Sequence, residues 1–333
     1  MLNVGVIGCG MLGLEHIKRL SRKLYGVQVA AVSSGSEESA KRGAQICGAR
    51  VCRNGAQVIE DPQVEAVVIV SPGFTHADMV LQAIKAGKRV FCEKPLATTA
   101  EDCRKIVEAE IASGRHLVQV GFNRRYDKGY RQLKEVLEKK QLGEPLMIHC
   151  THRNPVVADS YTTEMAVHDT LIHEIDCLHW LVGDEYESAQ VIFPRKTKNA
   201  LPHLQDPQFM IFRTKGGLCI DVEVFVNCKF GYDINCEVVC EEGTVRVSAP
   251  SAPVIRTDTK ISTEIAPDWL NRFIESYDAE LQDWVDAAKD GVINGPNAWD
   301  GYVAAVTADA FVKAQKSGAA EPVVTGAMPD FYK

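Results

Sequence analysis

Asn3-Val4-Gly5-Val6-Ile7-Gly8-Cys9-Gly10-Met11-Leu12-Gly13 carries an apolar run straight into a glycine-spaced turn. The spacing is G-x-G-x-x-G, with a strand-like segment before it and a helix-like segment after it. Such a turn brings backbone N–H groups at a helix N-terminus up to a pyrophosphate, and the glycines allow both the tight bend and the close approach. Gly8, Gly10, Met11, Leu12 and Gly13 are therefore candidate cofactor-binding residues. A glycine-rich turn that binds nothing is the bland alternative, and the presence of both flanks weighs against it.

The alternation continues downstream. Strand-like runs Val27–Ser33, Ala66–Ser71, Arg89–Cys92 and Leu117–Gly121 are interleaved with helix-like segments Gly13–Lys23, Ala77–Ala86 and Ala100–Ala112. This predicts βαβ units and a mostly parallel sheet, a Rossmann-type α/β domain. From Gly121 the pattern changes. A charged amphipathic helix (Tyr126–Lys140), a strand (Pro145–Arg153) and a helix (His168–Val182) come first. The strands Glu187–Phe193, Phe209–Thr214, Leu218–Asn227, Asp233–Cys240 and Thr244–Val247 follow, with tight turns such as Lys215-Gly216-Gly217 between them. Strands joined in this way predict an antiparallel sheet. Two helices, Trp269–Lys289 and Trp299–Lys316, close the chain. The expected organisation is a dinucleotide-binding domain over residues 1–121 and a substrate-binding, oligomerising α+β domain over 122–333.

Composition bounds the partners. The 333 residues are 46% hydrophobic and 24% charged, with a formal net charge of -7, which argues against a nucleic-acid or anionic-membrane surface. No apolar run reaches the length of a membrane span. No basic leader with an apolar core precedes the first strand, and a cytoplasmic protein is expected. The 11 cysteines are odd in number and scattered without a C-x-x-C pair, which favours reduced, buried thiols.

The second strand ends Ala31-Val32-Ser33-Ser34-Gly35-Ser36, where NAD-specific folds usually place an acid against the ribose hydroxyls. Serine neither holds the 2′-hydroxyl as a carboxylate does nor repels a 2′-phosphate. Lys41 and Arg42, one or two helical turns on, stand within reach of such a phosphate. Ser33 and Ser34 are cofactor candidates, and both NAD and NADP are open.

Val90-Phe91-Cys92-Glu93-Lys94-Pro95 places a charged pair at the C-terminal end of a buried strand, because proline cannot continue a paired ladder. Ligands bind at that end of open α/β sheets. Lys94 is thus a candidate for holding a reacting oxygen. Asp169 and His173 stand at i,i+4 with Asp176 one turn further, and a carboxylate stacked on an imidazole suits acid–base chemistry. A surface ion pair is the bland reading of that spacing. His168, His173, Glu174 and His179 are also metal-ligand types, yet the H-E-x-x-H spacing is absent. Gly121–Tyr126 and Cys150–Pro155 each cluster polar side chains where an apolar strand should emerge, as a polyhydroxylated ligand requires. In these loops Arg124 and His152 are candidate ligand groups, and Arg125 reads as solvated or helix-capping.

Taken in order, these segments resemble the glucose-fructose oxidoreductase / inositol dehydrogenase / MocA family, essentially end to end. The resemblance rests on Gly8-x-Gly10-x-x-Gly13, Glu93-Lys94-Pro95-Leu96-Ala97-Thr98-Thr99 and Val120-Gly121-Phe122-x-Arg124-Arg125-Tyr126-Asp127. It also rests on His152-Arg153-Asn154-Pro155, Asp169-Thr170-Leu171-x-His173-Glu174-Ile175-Asp176 and Trp299-Asp300-Gly301-Tyr302. It implies a Rossmann domain joined to a larger domain with an open, mainly antiparallel sheet, a homotetramer assembled through that sheet, and a cis Lys94–Pro95 peptide. It further implies Lys94, Asp169 and His173 as the catalytic group, with Ser71, His76, Glu93 and Lys94 added to the cofactor-binding residues. Lys94, Arg124, His152, Asn154, Asp169, His173, Asp176 and Tyr232 would hold substrate. The expected reaction is NAD(P)-dependent oxidation of a ring alcohol of inositol, a small cyclic polyol, with no metal. Another cyclic polyol or sugar, or a non-catalytic dinucleotide sensor, stays open as an alternative.

Overall fold

The structure, a computed structural model, describes residues 1–247 and 252–333. These form two compact units. One comprises Met1–Asn123, Tyr277–Ala305 and Thr325–Lys333, and the other Arg124–Ser276 and Val306–Val324.

The first unit holds six strands: β1 (Leu2–Ile7), β2 (Val27–Ser33), β3 (Arg50–Val51), β4 (Ala66–Ile69), β5 (Arg89–Glu93) and β6 (Val118–Gly121). They lie in the order β3-β2-β1-β4-β5-β6. Every pairing is parallel. Parallel neighbours need crossovers, here α1 (Met11–Arg22), α2 (Glu37–Cys47), α3 (Gly55–Glu60), α4 (His76–Lys85) and α5 (Ala100–Ser113). Helices over both faces bury the central strands, so all four positions of β4 are inaccessible. Val4, Val6, Val68 and Phe91 pack in one core with Leu281 and Trp284 from near the C-terminus.

Helix α2 was anticipated only through the helical placement of Lys41 and Arg42. Ser36 caps it by accepting the Ser39 N–H at 3.2 Å. It buries only Ala40 and Gly43, and a β-carbon on Gly43 would lie 2.8 Å from the Cys9 sulfur. Ala44, Ile46 and Cys47 pack partly buried against the same core, so the helix's apolar stripe is short and built mostly of small residues.

The second unit is built on β7 (Pro145–Arg153), β8 (Tyr186–Ile192), β9 (Gln208–Thr214), β10 (Cys219–Phe225), β11 (Asp233–Cys240), β12 (Thr244–Arg246) and the two-residue β15 (Glu321–Pro322). The order is β12-β11-β7-β10-β9-β8-β15, antiparallel throughout except for the parallel β7–β10 pair. Strands β10 and β11 alternate buried and half-buried residues, as a sheet with one covered face should. An exposed hairpin, β13 (Val254–Thr257) with β14 (Lys260–Thr263), adds to the expected elements.

Helix α6 (Lys128–Glu138) is followed after β7 by a π-helical turn over Ala166–Leu171 that runs into α7 (Ile172–Val182). The single helix expected over Trp269–Lys289 breaks at Phe273 into α8 (Trp269–Arg272) and α9 (Ile274–Asp290), and α10 (Ala298–Ser317) follows. The break frees the Phe273 ring to pack against the guanidinium groups of Arg272 and Arg124, 4.5 and 5.5 Å away. None of the 11 cysteines is in a disulfide. Among the described residues, no helix is long and apolar enough to cross a membrane.

Candidate active site

In the first unit the glycine turn joins β1 to α1. Gly8 has φ +110°, and a β-carbon there would lie 2.5 Å from the Val70–Ser71 backbone. One on Gly13 would lie 2.1 Å from the Gly8 carbonyl oxygen. These two glycines are demanded by the protein itself. Gly10 differs: a β-carbon there meets no protein atom within 4 Å, which is the space a pyrophosphate would take. Helix α1 also opens with no side chain capping it, so its first-turn N–H groups suit an anion. The turn therefore fits a dinucleotide. Gly10→Ala is expected to change stability by no more than about 0.5 kcal/mol yet weaken dinucleotide binding at least about tenfold. Thermal unfolding and a cofactor titration on the same sample check the split.

The two serines that close β2 differ in their surroundings. Ser33 is buried and its hydroxyl has no hydrogen-bond partner among the described residues. The hydroxyl beside the turn is that of Ser34, which accepts the Cys9 N–H at 3.3 Å. Lys41 and Arg42 are engaged on the surface of α2 with Glu37 and Glu38, four residues back. Exposed pairs of this kind are weak, and neither commits its cation strongly.

Lys94 stands half-buried at the end of β5, and the Lys94–Pro95 peptide is cis. Its neighbour Glu93 is buried and doubly engaged: Oε1 meets His16 Nε2 at 2.7 Å, and Oε2 accepts the Lys94 N–H at 3.2 Å. His76 brackets the loop from the other side. Its Nδ1 lies 2.7 Å from the Pro95 carbonyl and its Nε2 2.7 Å from the Ser71 carbonyl. Ser71 in turn meets the Thr75 hydroxyl at 2.6 Å. Glu93 and His76 thus hold the backbone of Lys94 and Pro95, and the Ser71 carbonyl fixes the His76 ring. His16 was not singled out in the sequence because its partner lies 77 residues away.

In the second unit, Asp169 lies exposed in the π-helical turn and His173 half-buried in the first turn of α7. The Ile172 N–H reaches back five residues to the Val167 carbonyl. A widened turn of this kind, frequent at functional sites, was hidden from a reading that assumed α-helical spacing throughout. The His152 ring lies 6.3 Å from that of His173, and Tyr232 stands edge-on to His152 at 5.7 Å. Asn154 is half-buried just beyond β7, its backbone N–H donated to the Phe225 carbonyl at 2.9 Å.

Two arginines take roles the sequence did not show. Arg125, read as solvated or capping, donates through Nε and Nη2 to the two Asp176 oxygens at 2.9 and 2.5 Å. Arg124 is 1% exposed and donates to the buried Glu174 carboxylate, whose other oxygen lies 2.9 Å from His152 Nδ1. Burial opposes the Arg124 charge, and the Glu174 carboxylate overcomes it, holding the guanidinium well above its ordinary range. Burial likewise pushes Glu174 up, but Arg124 and His152 pull it further down, so it stays ionised. Burial raises the Tyr232 hydroxyl to about 12, which keeps it a protonated donor. Glu174 entered the sequence reading only as a possible metal ligand.

Residues 2–122 match the family of oxidoreductases with an NAD-binding Rossmann fold, and residues 134–324 match that family's C-terminal alpha/beta domain. The chain is 55% identical over 333 residues to an inositol 2-dehydrogenase of Pseudomonas syringae pv. syringae, covering 99% of each. It is 52% identical over 334 residues to an inositol 2-dehydrogenase of Burkholderia cenocepacia, covering 100% of this chain and 99% of that one. Among solved structures it matches myo-inositol dehydrogenase from Lactobacillus casei in complex with NAD(H) and myo-inositol, with TM-score 0.98, 40% identity and 100% of both chains covered. The chain therefore belongs to the GFO/IDH/MocA family of NAD-dependent oxidoreductases.

Proposed function

We propose that this protein oxidises a ring secondary alcohol of an inositol to the corresponding inosose. The observation that carries the reading is identity above one half, over the full length, with inositol 2-dehydrogenases. NAD+, when bound, accepts the hydride released from the carbinol carbon. His173 takes the hydroxyl proton, Asp169 orients it or relays that proton, and Lys94 donates a hydrogen bond to the oxygen as it gains alkoxide character. His152, Tyr232 and Asn154 hold ring hydroxyls. Arg124 and Asp176, each locked in a buried ion pair, support the residues that do so.

The serines closing β2 support acceptance of NADP as well as NAD, since neither repels a 2′-phosphate. Exposed Leu146, Met147 and Ile192 on the second unit's sheet support association of copies of the chain through that sheet.

Initial rates over a panel of inositol isomers and monosaccharides, each with NAD+ and with NADP+, test the proposal. Steady cofactor reduction with an inositol, faster than with any monosaccharide, is expected. Turnover confined to monosaccharides would overturn the substrate assignment.

A further inference from the structure

A line of buried polar contacts runs through the second unit beside His173. Arg124 Nη1 donates to Glu174 Oε1, and Glu174 Oε2 lies 2.9 Å from His152 Nδ1. Arg124 Nη2 lies 3.1 Å from the same Nδ1, and the Tyr232 hydroxyl lies 3.4 Å from His152 Nε2. No one of these four residues is more than 5% exposed.

His152 Nδ1 therefore faces a group that only donates and a group that only accepts, and the place of its proton sets the polarity of the whole ring. With a lone pair on Nδ1, the imidazole would accept from Arg124, but the Glu174 oxygen would face that lone pair and lose its donor. With a proton on Nδ1, the ring donates to the carboxylate, and Arg124 keeps its own bond to the other oxygen. The bond to a carboxylate is charge-assisted and the shorter of the two contacts, and a buried carboxylate oxygen without a donor is costly. The second arrangement wins. The Nε2 atom of that neutral tautomer carries a lone pair.

We infer that Glu174, braced by Arg124, is a positioning residue that fixes His152 as its Nδ1–H tautomer, so that Nε2 presents only an acceptor to a substrate hydroxyl. At rest the Tyr232 hydroxyl, 3.4 Å away, donates to that lone pair; a substrate hydroxyl that takes its place donates to Nε2 and accepts the Tyr232 proton. This pairing reads a free hydroxyl and refuses an ether or deoxy carbon in its place. The inference rests on the reading of the second unit as the polyol-binding part of an inositol dehydrogenase.

The proton can be seen directly in a neutron crystal structure of the wild-type protein, which needs no variant and no substrate. Deuterium on His152 Nδ1 and none on Nε2 is expected. Deuterium on Nε2 would overturn the inference. A Glu174→Gln variant supplies the kinetic counterpart. Its amide oxygen should turn to the Arg124 charge and its NH2 to Nδ1, which must then accept, moving the ring proton to Nε2 and reversing the polarity. The KM for the polyol should rise about ten- to a hundred-fold, with kcat far less affected and the KM for NAD+ unchanged. An unchanged polyol KM in a folded variant would also overturn it. A merely structural loss would lower the active fraction, and so kcat, without this selective shift. If wild type turned over no inositol, the proposed function would fall while the proton position still decided the role of Glu174. If inositol were oxidised and the proton sat on Nε2, the inference alone would fall.

Discussion

Lys94→Ala is expected to lower kcat by about 10²–10³-fold while leaving the dinucleotide dissociation constant nearly unchanged, the cost of removing one preorganised donor from a developing alkoxide. The separation follows from the contacts. The turn that fits the dinucleotide is built by Gly8, Gly10 and Gly13, none of which depends on the Lys94 side chain. The backbone at Lys94 is held by Glu93 Oε2, and that of Pro95 by His76 Nδ1, both of which survive the substitution. His173→Ala should lose about 10²–10⁴-fold, the usual worth of a positioned general base, with its residual rate climbing as hydroxide replaces the imidazole. Steady-state kinetics with a parallel cofactor titration check both variants. Near wild-type turnover in Lys94→Ala would remove lysine from the reaction.

Arg124→Ala is expected to destabilise the second unit by about 3–5 kcal/mol, because it strands the Glu174 carboxylate in a site where both side chains are 2% exposed. The loss is not a measure of what the pair contributes. Replacing both partners together, as in Arg124→Leu with Glu174→Leu, should recover part of the deficit, since no buried charge is then left alone. Urea unfolding of the single and double variants measures the coupling. Additive losses would mean that the two charges do not compensate one another.

The glycine turn and the strand end at Lys94 were legible because their chemistry is local. A glycine spacing, a proline and an apolar run are all contained within a dozen residues. The buried faces of β10 and β11 were legible for the same reason, since alternation repeats every second residue. What escaped was either long-range or atypical in period. Glu174 meets Arg124 across 50 residues and Asp176 meets Arg125 across 51, and no local pattern announces such pairs. The docking of α2 through Ala40, Gly43 and Ala44 relies on small residues, which make a weak apolar signal. The break at Phe273, whose ring packs against two guanidinium groups, is a feature that helical periodicity does not express. Sequence thus offered the candidate residues, while the long-range contacts beside them, Glu174 with His152 and His16 with Glu93, emerged only from the fold.

The central claim is that a hydride leaves a ring carbon of an inositol for the nicotinamide. It is tested most directly by incubating the protein with NAD+ and an inositol carrying deuterium on its ring carbons. Reduced cofactor carrying one deuterium per inosose formed is expected, with a slowed rate wherever C–H cleavage limits turnover. Inosose formed with no deuterium in the reduced cofactor, or no reduced cofactor with any inositol isomer, would contradict it.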